Sequence, residues 1–280
     1  MNKKINRDLA LLVHWLRANK ICLNSSKTEI ILFKKPLKSI NKQLNFESPL
    51  NLLPKHLNFR LSGQKLSLSS KVKYLGVIID ENLCWDYQIH DLTFKISRSV
   101  GFLSKLRHYV NHKTLISVYY ALIDSHINYC LLTLGFITEQ NWNKLEVLQN
   151  KALRIINFKP FRHSAKPLYI RSGILPIKRQ LSLKNCLFGF DFVNKMLPSY
   201  FDSFSRFMNV NNHDTRSSPL RMDTPETESV KYGTYNIVSN VVRDWNKYHH
   251  KLKIKDLKKV SKDTFKKHLH RYLLTEYAEE

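Results

Sequence analysis

Residues 72–106 read VKYLGVIIDENLCWDYQIHDLTFKISRSVGFLSKL, and the spacing of their apolar positions changes part-way along. Val72 to Ile79 is rich in β-branched and aromatic residues and has the length of a strand. Gly76 sits inside it, where a glycine marks a bulge or the close approach of another backbone. After Asp80 the period lengthens. Ile89, Leu92, Ile96, Val100, Leu103 and Leu106 recur at three- and four-residue steps, the pattern of an amphipathic helix. The chain therefore passes from a β-containing part to a helical part, with the boundary near Asp80–Asp86.

Towards the N-terminus, Leu9, Leu12, Val13 and Leu16 predict a helix capped by Asp8 and ending near Asn19 and Lys20. Ile21–Leu23 and Glu29–Phe33 read as short strands around the polar turn Asn24–Lys27. Residues 34–56, with Pro36, Pro49 and Pro54, read as a surface insert. Asn58–Leu61 and Lys65–Leu68 form a hairpin about Ser62, Gly63 and Gln64. Towards the C-terminus, helical spacing continues through Leu115, Val118, Tyr119, Leu122, Ile123 and His126, and again through Leu145, Leu148, Ala152, Ile155 and Ile156. A further helix runs from about Ile177 to Met196 and is stopped by Pro198. A polar loop over 209–230 then precedes helices at about 234–250 and 257–275. The fold class expected is mostly α (α+β), a small antiparallel β element followed by an all-helical module. Three regions follow: 1–80, 81–200 and 201–280.

The charge is the strongest compositional signal. The 280 residues carry 46 Lys and Arg against 22 Asp and Glu, a net charge of +24. Such an excess favours polyanions through counterion release, and nucleic acid is the commonest of them. Residues 243–274 alone hold eleven cations, among them Lys258, Lys259, Lys266 and Lys267, against Asp244, Asp256 and Asp263. Cys22, Cys84, Cys130 and Cys186 are far apart and form no zinc-finger spacing, so reduced intracellular thiols are expected. Interruption of Leu9–Val13 by His14 and Arg17 argues against a signal peptide, and no stretch approaches a membrane span. The glycines are isolated, which excludes a phosphate-cradling loop, and no serine sits in a nucleophile elbow.

Several phrases, taken in order, resemble the reverse transcriptases of non-LTR (LINE- and jockey-like) retrotransposons. Trp15-Leu16, Asn19-Lys20 and Leu23-Asn24-x-x-Lys27-Thr28 look like the late palm motif of that family. Lys73-Tyr74-Leu75-Gly76-Val77 looks like its primer grip. Trp85, Ile89, Lys95, Gly101, Leu103 and Leu106 resemble the start of the thumb. Ser125–Cys130 with Gly135, Leu148–Arg154, His213-x-Thr215-Arg216, and Gly233 with Trp245-Asn246 are similar to the C-terminal region. The resemblance makes 1–80 a late palm and primer-grip remnant, 81–200 a thumb-like region and 201–280 a basic C-terminal region.

What the resemblance implies is two-metal nucleotidyl transfer by paired aspartates, with the late palm lysine near the incoming triphosphate. That lysine is Lys27, the one catalytic candidate; in its own right it is a lysine in a polar turn. The family's metal-binding aspartates come upstream of it, and 26 residues precede Lys27 here with no Asp-Asp pair anywhere in the chain. Asp80, Asp86, Asp91 and Asp124 stand at the wrong places and take no catalytic role. The expectation is a C-terminal fragment, inactive as a polymerase by itself, with no cofactor of its own although the full-length family would use Mg²⁺. Tyr74, Leu75 and Gly76 would meet the primer, and Lys95, Arg98, Lys105 and Arg107 would track a duplex backbone in a thumb-like manner. Lys258, Lys259, Lys266 and Lys267 complete the expected nucleic-acid contacts. His108 and His112 have metal-ligand spacing but no third ligand, so no metal site is assigned. Expected partners are RNA and DNA as primer–template and the absent palm and fingers, with no membrane. The resemblance also implies an intracellular setting, in the nucleus or in a cytoplasmic ribonucleoprotein. Two alternatives stand beside it: a non-catalytic basic RNA- or DNA-binding helical module, and a degenerate reading frame without a selected function.

Overall fold

The computed structural model describes residues 2–22, 24, 27–33, 60–61, 64–135, 137–201, 221–223, 237–252 and 259–280. The chain divides into two compact units, Met1–Gln88 and Ile89–Glu280. The fold is mostly α with a small β element, as the periodicity requires.

In the first unit, α1 runs Asn2–Ala18, so it starts well before Asp8, which is an interior helical residue and not its cap. The helix closes with paired reverse bonds, Lys20 N–H to Arg17 O at 3.0 Å and Ile21 N–H to Leu16 O at 2.9 Å. Lys20 takes the left-handed conformation (φ 55°) usually given to glycine at that place. Ile21 and Cys22 do not form the expected strand, because this closing turn consumes Ile21's amide.

Three strand pairs occur among the described residues. β1 (Glu29–Ile30) runs parallel to β4 (Ser67–Leu68), a departure from a wholly antiparallel element. β2 (Arg60–Leu61) and β3 (Gln64–Lys65) form the expected hairpin, with Gln64 inside the strand. β5 (Lys71–Tyr74) and β6 (Val77–Asp80) form a second hairpin in register Tyr74↔Val77. Val72 to Ile79 is thus two strands and not one, and Gly76 is a turn residue and not a bulge. The unit's apolar cluster is small: Leu66 is buried against Ile5, Leu9 and Val13 of α1 and against Ile30 and Leu68.

The larger unit is helical. Along the chain come α2 (Asp86–Leu106), α3 (His112–Tyr119), a π turn (Tyr120–Asp124) and α4 (Ser125–Asn128). They are followed by α5 (Glu139–Ile156), α6 (Lys166–Ser172), α7 (Ile177–Val193), α8 (Ile237–Tyr248) and α9 (Lys262–Glu279). Asn111, Thr138 and Ser261 cap α3, α5 and α9 with side-chain oxygens, satisfying amides that each helix leaves open. Helices on either side of residue 200 share one core: Leu183, Cys186, Leu187 and Phe190 of α7 meet Val241, Val242 and Trp245 of α8 and Phe265, Leu269 and Leu273 of α9. Gly189 sets the α7–α8 approach, since a Cβ there would lie 2.7 Å from the Trp245 ring. Asn246 pins Met222 to α8, accepting from its N–H at 2.9 Å and donating to its carbonyl at 2.8 Å.

Candidate nucleic-acid interface

The first unit presents the late palm and primer-grip candidates. Lys27 lies exposed in a turn where its N–H donates to Asn24 Oδ1 at 3.2 Å and the Thr28 hydroxyl donates to Asn24 O at 2.9 Å. The β5–β6 hairpin turns on two residues, Leu75 (φ 47°) and Gly76 (φ 83°). Positive φ at both central positions is the twist-matched turn of a two-residue hairpin, and only the second position here is glycine. Leu75 therefore carries backbone strain on the order of 1 kcal/mol. It is 73% exposed and Tyr74 63%, so the turn displays two large side chains at its tip.

A buried carboxylate holds the base of this hairpin. Asp80 is 4% exposed, and its oxygens accept from the N–H groups of Asn82 (3.0 Å), Cys84 (3.0 Å) and Trp85 (2.9 Å). Leu83 and Trp85 have positive φ in the same loop. Gln88 Oε1 accepts from Ile78 N–H at 2.8 Å, tying β6 to the first turn of α2. Asp80 is a structural clamp on the loop that follows the hairpin.

In the second unit, α2 buries Ile89, Leu92, Ile96, Val100 and Leu103 on one side. The other side carries Phe94, Arg98, Gly101, Phe102 and Lys105 at three- and four-residue steps, which places them on one face. Phe94 is 60% and Phe102 52% exposed, and the Arg98 guanidinium lies 5.9 Å from the Phe94 ring. A Cβ at Gly101 would meet nothing within 4 Å, so the face is open there. Lys95 is set to one side and paired with Asp91 at 2.7 Å. Arg107 lies beyond the helix end, over the Phe158 ring at 4.9 Å. The structure thus brings Arg98 and Lys105 together and places Lys95 and Arg107 off that line. Exposed aromatics between the cations were not anticipated; their three- and four-residue spacing opposite the buried stripe was the available signal.

The phrases at 125–130 and 148–154 each turn part of their length inward: Ile127 in the first, and Gln149, Ala152 and Leu153 in the second, are buried, whereas Ser125, Tyr129 and Lys151 are exposed. Gln149 is fully buried and makes four hydrogen bonds. Its Nε2 donates to the Tyr119 hydroxyl (2.9 Å) and Leu175 O (3.0 Å), and its Oε1 accepts from the Tyr169 hydroxyl (2.9 Å) and Ile177 N–H (3.0 Å). Burial raises both tyrosine hydroxyls far above their ordinary range. Asp124 accepts from Gln180 Nε2 (2.9 Å) and Asn128 Nδ2 (2.7 Å). Burial raises its carboxyl, opposed by those two bonds and by Lys184 and Lys266. Trp142, Phe190 and Trp245 are core residues, and Phe188 packs at the core's edge.

At the C-terminal end, Lys266 and Lys267 lie exposed on α9, and Lys259 is exposed ahead of it. Lys258, His213, Thr215, Arg216 and Gly233 lie outside the described residues. His108 is exposed, His112 half-buried, and among the described residues no three His, Cys, Asp or Glu side chains gather as a metal set. No helix among them is long and apolar enough to cross a membrane.

Compared with known proteins, the chain is 26% identical over 158 residues to the probable RNA-directed DNA polymerase from transposon BS of Drosophila melanogaster; the match covers 54% of this chain and 17% of that protein. It is 28% identical over 105 residues to the RNA-directed DNA polymerase from mobile element jockey of Drosophila funebris, covering 36% of this chain and 11% of that protein. The match to each of these curated relatives thus covers less than a fifth of its length. No family model and no solved structure matches.

Proposed function

We propose that this chain is the primer-grip and thumb-like portion of an RNA-directed DNA polymerase and that it holds primer–template nucleic acid. The observation that carries the reading is the exposed face of α2, where Arg98 and Lys105 alternate with Phe94 and Phe102. Cations on a helix face neutralise backbone phosphates, and neighbouring apolar rings cover sugar and base surface. The similarity to polymerases of mobile elements and the net charge of +24 support it. The exposed Tyr74-Leu75 tip supplies a second contact, at the primer strand. The sequence holds no Asp-Asp pair, so this stretch contributes grip and not the metal-held carboxylates of the reaction.

The test is the salt dependence of primer–template binding, followed by fluorescence anisotropy. Binding should weaken steeply with salt, and the double variant Arg98→Ala/Lys105→Ala should lower the log–log slope by about 1.8, two phosphate contacts at roughly 0.9 each. The helix-facing core is untouched, so the denaturation midpoint should not move. A slope unchanged by the double variant refutes the assignment of this face. Mg²⁺-dependent primer extension by the purified chain would overturn the view that it does not polymerise.

A further inference from the structure

A groove of about 590 Å³ opens in the helical unit, and none of the residues lining it belongs to α2. One wall is a face of α9 with Asp263, Lys266, Lys267, His270 and Arg271. Tyr120 and Gly173, the C-terminal cap of α6, complete the lining around Leu274. A run of lysines on a helix is by itself only a solvated face. Two observations make this one different.

The first is compensation. Several cations elsewhere in this unit are matched: Lys262 reaches Asp191 at 2.5 Å, Lys178 reaches Glu139 at 2.6 Å, and Lys247 and Lys251 share Glu276 at 3.7 Å each. Among the described residues, Lys266, Lys267 and Arg271 have no carboxylate at ion-pair distance. Asp263 is the one acid lining the groove, and it lies in the first turn of α9, where the helix dipole favours it.

The second is the π turn. Tyr119 and Tyr120 are consecutive, yet Tyr119 is fully buried on Gln149 while Tyr120 is 44% exposed and lines the groove. Their rings meet edge to face at 5.5 Å. Tyr120 opens the π turn Tyr120–Asp124, a rare helical irregularity that is frequent at functional sites. Neighbouring helical positions point about 100° apart, so one tyrosine anchors the core while the next lines the groove beside the cations.

We propose that this groove binds a single-stranded segment of nucleic acid, its phosphodiester backbone along Lys266, Lys267 and Arg271 and a base stacked on Tyr120. The volume suits one or two nucleotides and is too small to admit a duplex. A single strand offers both the charge and the open π face that these walls match. The site is distinct from the α2 face and stands whether or not that face holds a duplex.

The experiment measures binding of the full chain to short single-stranded RNA and to single-stranded DNA of the same sequence, beside a primer–template duplex. Tyr120→Ala should weaken single-strand binding by roughly five- to a hundredfold, the loss of one stacked base, and Tyr120→Phe should retain it. Lys266→Ala/Arg271→Ala should lower the single-strand salt slope by about 1.4. Duplex binding should stay within about twofold in all three variants. A loss confined to the RNA or the DNA arm identifies the strand the groove takes. The proposal is overturned if single strands do not bind, if both the tyrosine and the cation variants leave single-strand binding unchanged, or if duplex binding falls equally. The Lys266 and Arg271 side chains are exposed, so their variants report even where Tyr120→Ala disturbs the fold.

Discussion

Replacing Gln149 by leucine isolates the polar hub of the helical unit while nearly conserving its volume. Four hydrogen bonds disappear, but their losses are unequal. Leu175 O still accepts from Gln180 Nε2 at 3.1 Å, and the Tyr169 hydroxyl still reaches Asn150 Oδ1 at 2.8 Å. Ile177 N–H is left with nothing. It belongs to the first residue of α7, whose cap Pro176 offers no side-chain acceptor, so Gln149 caps that helix from α5. Ile177 is 1% exposed, and water cannot substitute. An orphaned buried amide costs about 1–3 kcal/mol, and Tyr119's lost donor adds about 1 more. The expected destabilisation is about 3 kcal/mol, roughly a hundredfold in the folding constant. Against a usual total of about 5–15 kcal/mol this is large. The assay is urea denaturation read by tyrosine and tryptophan fluorescence. Gln149→Glu keeps an acceptor for Ile177 N–H but buries an unpaired carboxylate that cannot donate to the Tyr119 hydroxyl or Leu175 O, so it should cost at least as much. A Gln149→Leu midpoint indistinguishable from the parent protein refutes the hub.

Two further outcomes follow from the same reasoning. Asp80→Ala removes the acceptor for three loop amides and should destabilise the first unit by about 2–4 kcal/mol, seen as faster hydrogen exchange at Cys84 and Trp85; unchanged exchange there would contradict the clamp. Burial lowers the His249 imidazole below its ordinary range against its bond to Trp245 O, and burial with Lys266 lowers His270. The folded state then binds fewer protons than the unfolded one, so stability is full above about pH 6.5 and declines as pH falls below it. A denaturation midpoint that stays flat through that range, or a decline undiminished in His249→Gln, would count against this.

The periodicity after Asp80, which becomes the buried stripe of α2, is legible because it reports burial directly. The hairpin at Leu75 and Gly76 is not, since its turn puts a leucine in a conformation that no propensity assigns to leucine. Helix α6 is marked in the sequence only by its start and stop signals, Pro167 in its first turn and Gly173 after its end. Seven helical residues are too few to show a period. For the site, charge pointed to nucleic acid, but which lysines share a groove depends on Tyr120 and Gly173 meeting α9 across more than 90 residues. Lys258 lies outside the described residues, and Lys95 proves to be paired with Asp91.

The Asp80 clamp also bears on the order in which the chain acquires structure. Its bonds span two to five residues, the β5–β6 ladder at most nine, and the Gln88 bond ten. Contacts this local close on a microsecond scale, whereas in the larger core α7 must meet α8 and α9 across roughly 50–90 residues. The hairpin tip is therefore expected to be set early, with mutational φ-values near one in residues 71–88 and low values around Phe265. A nascent chain would display its Tyr74-Leu75 tip before its helical core exists.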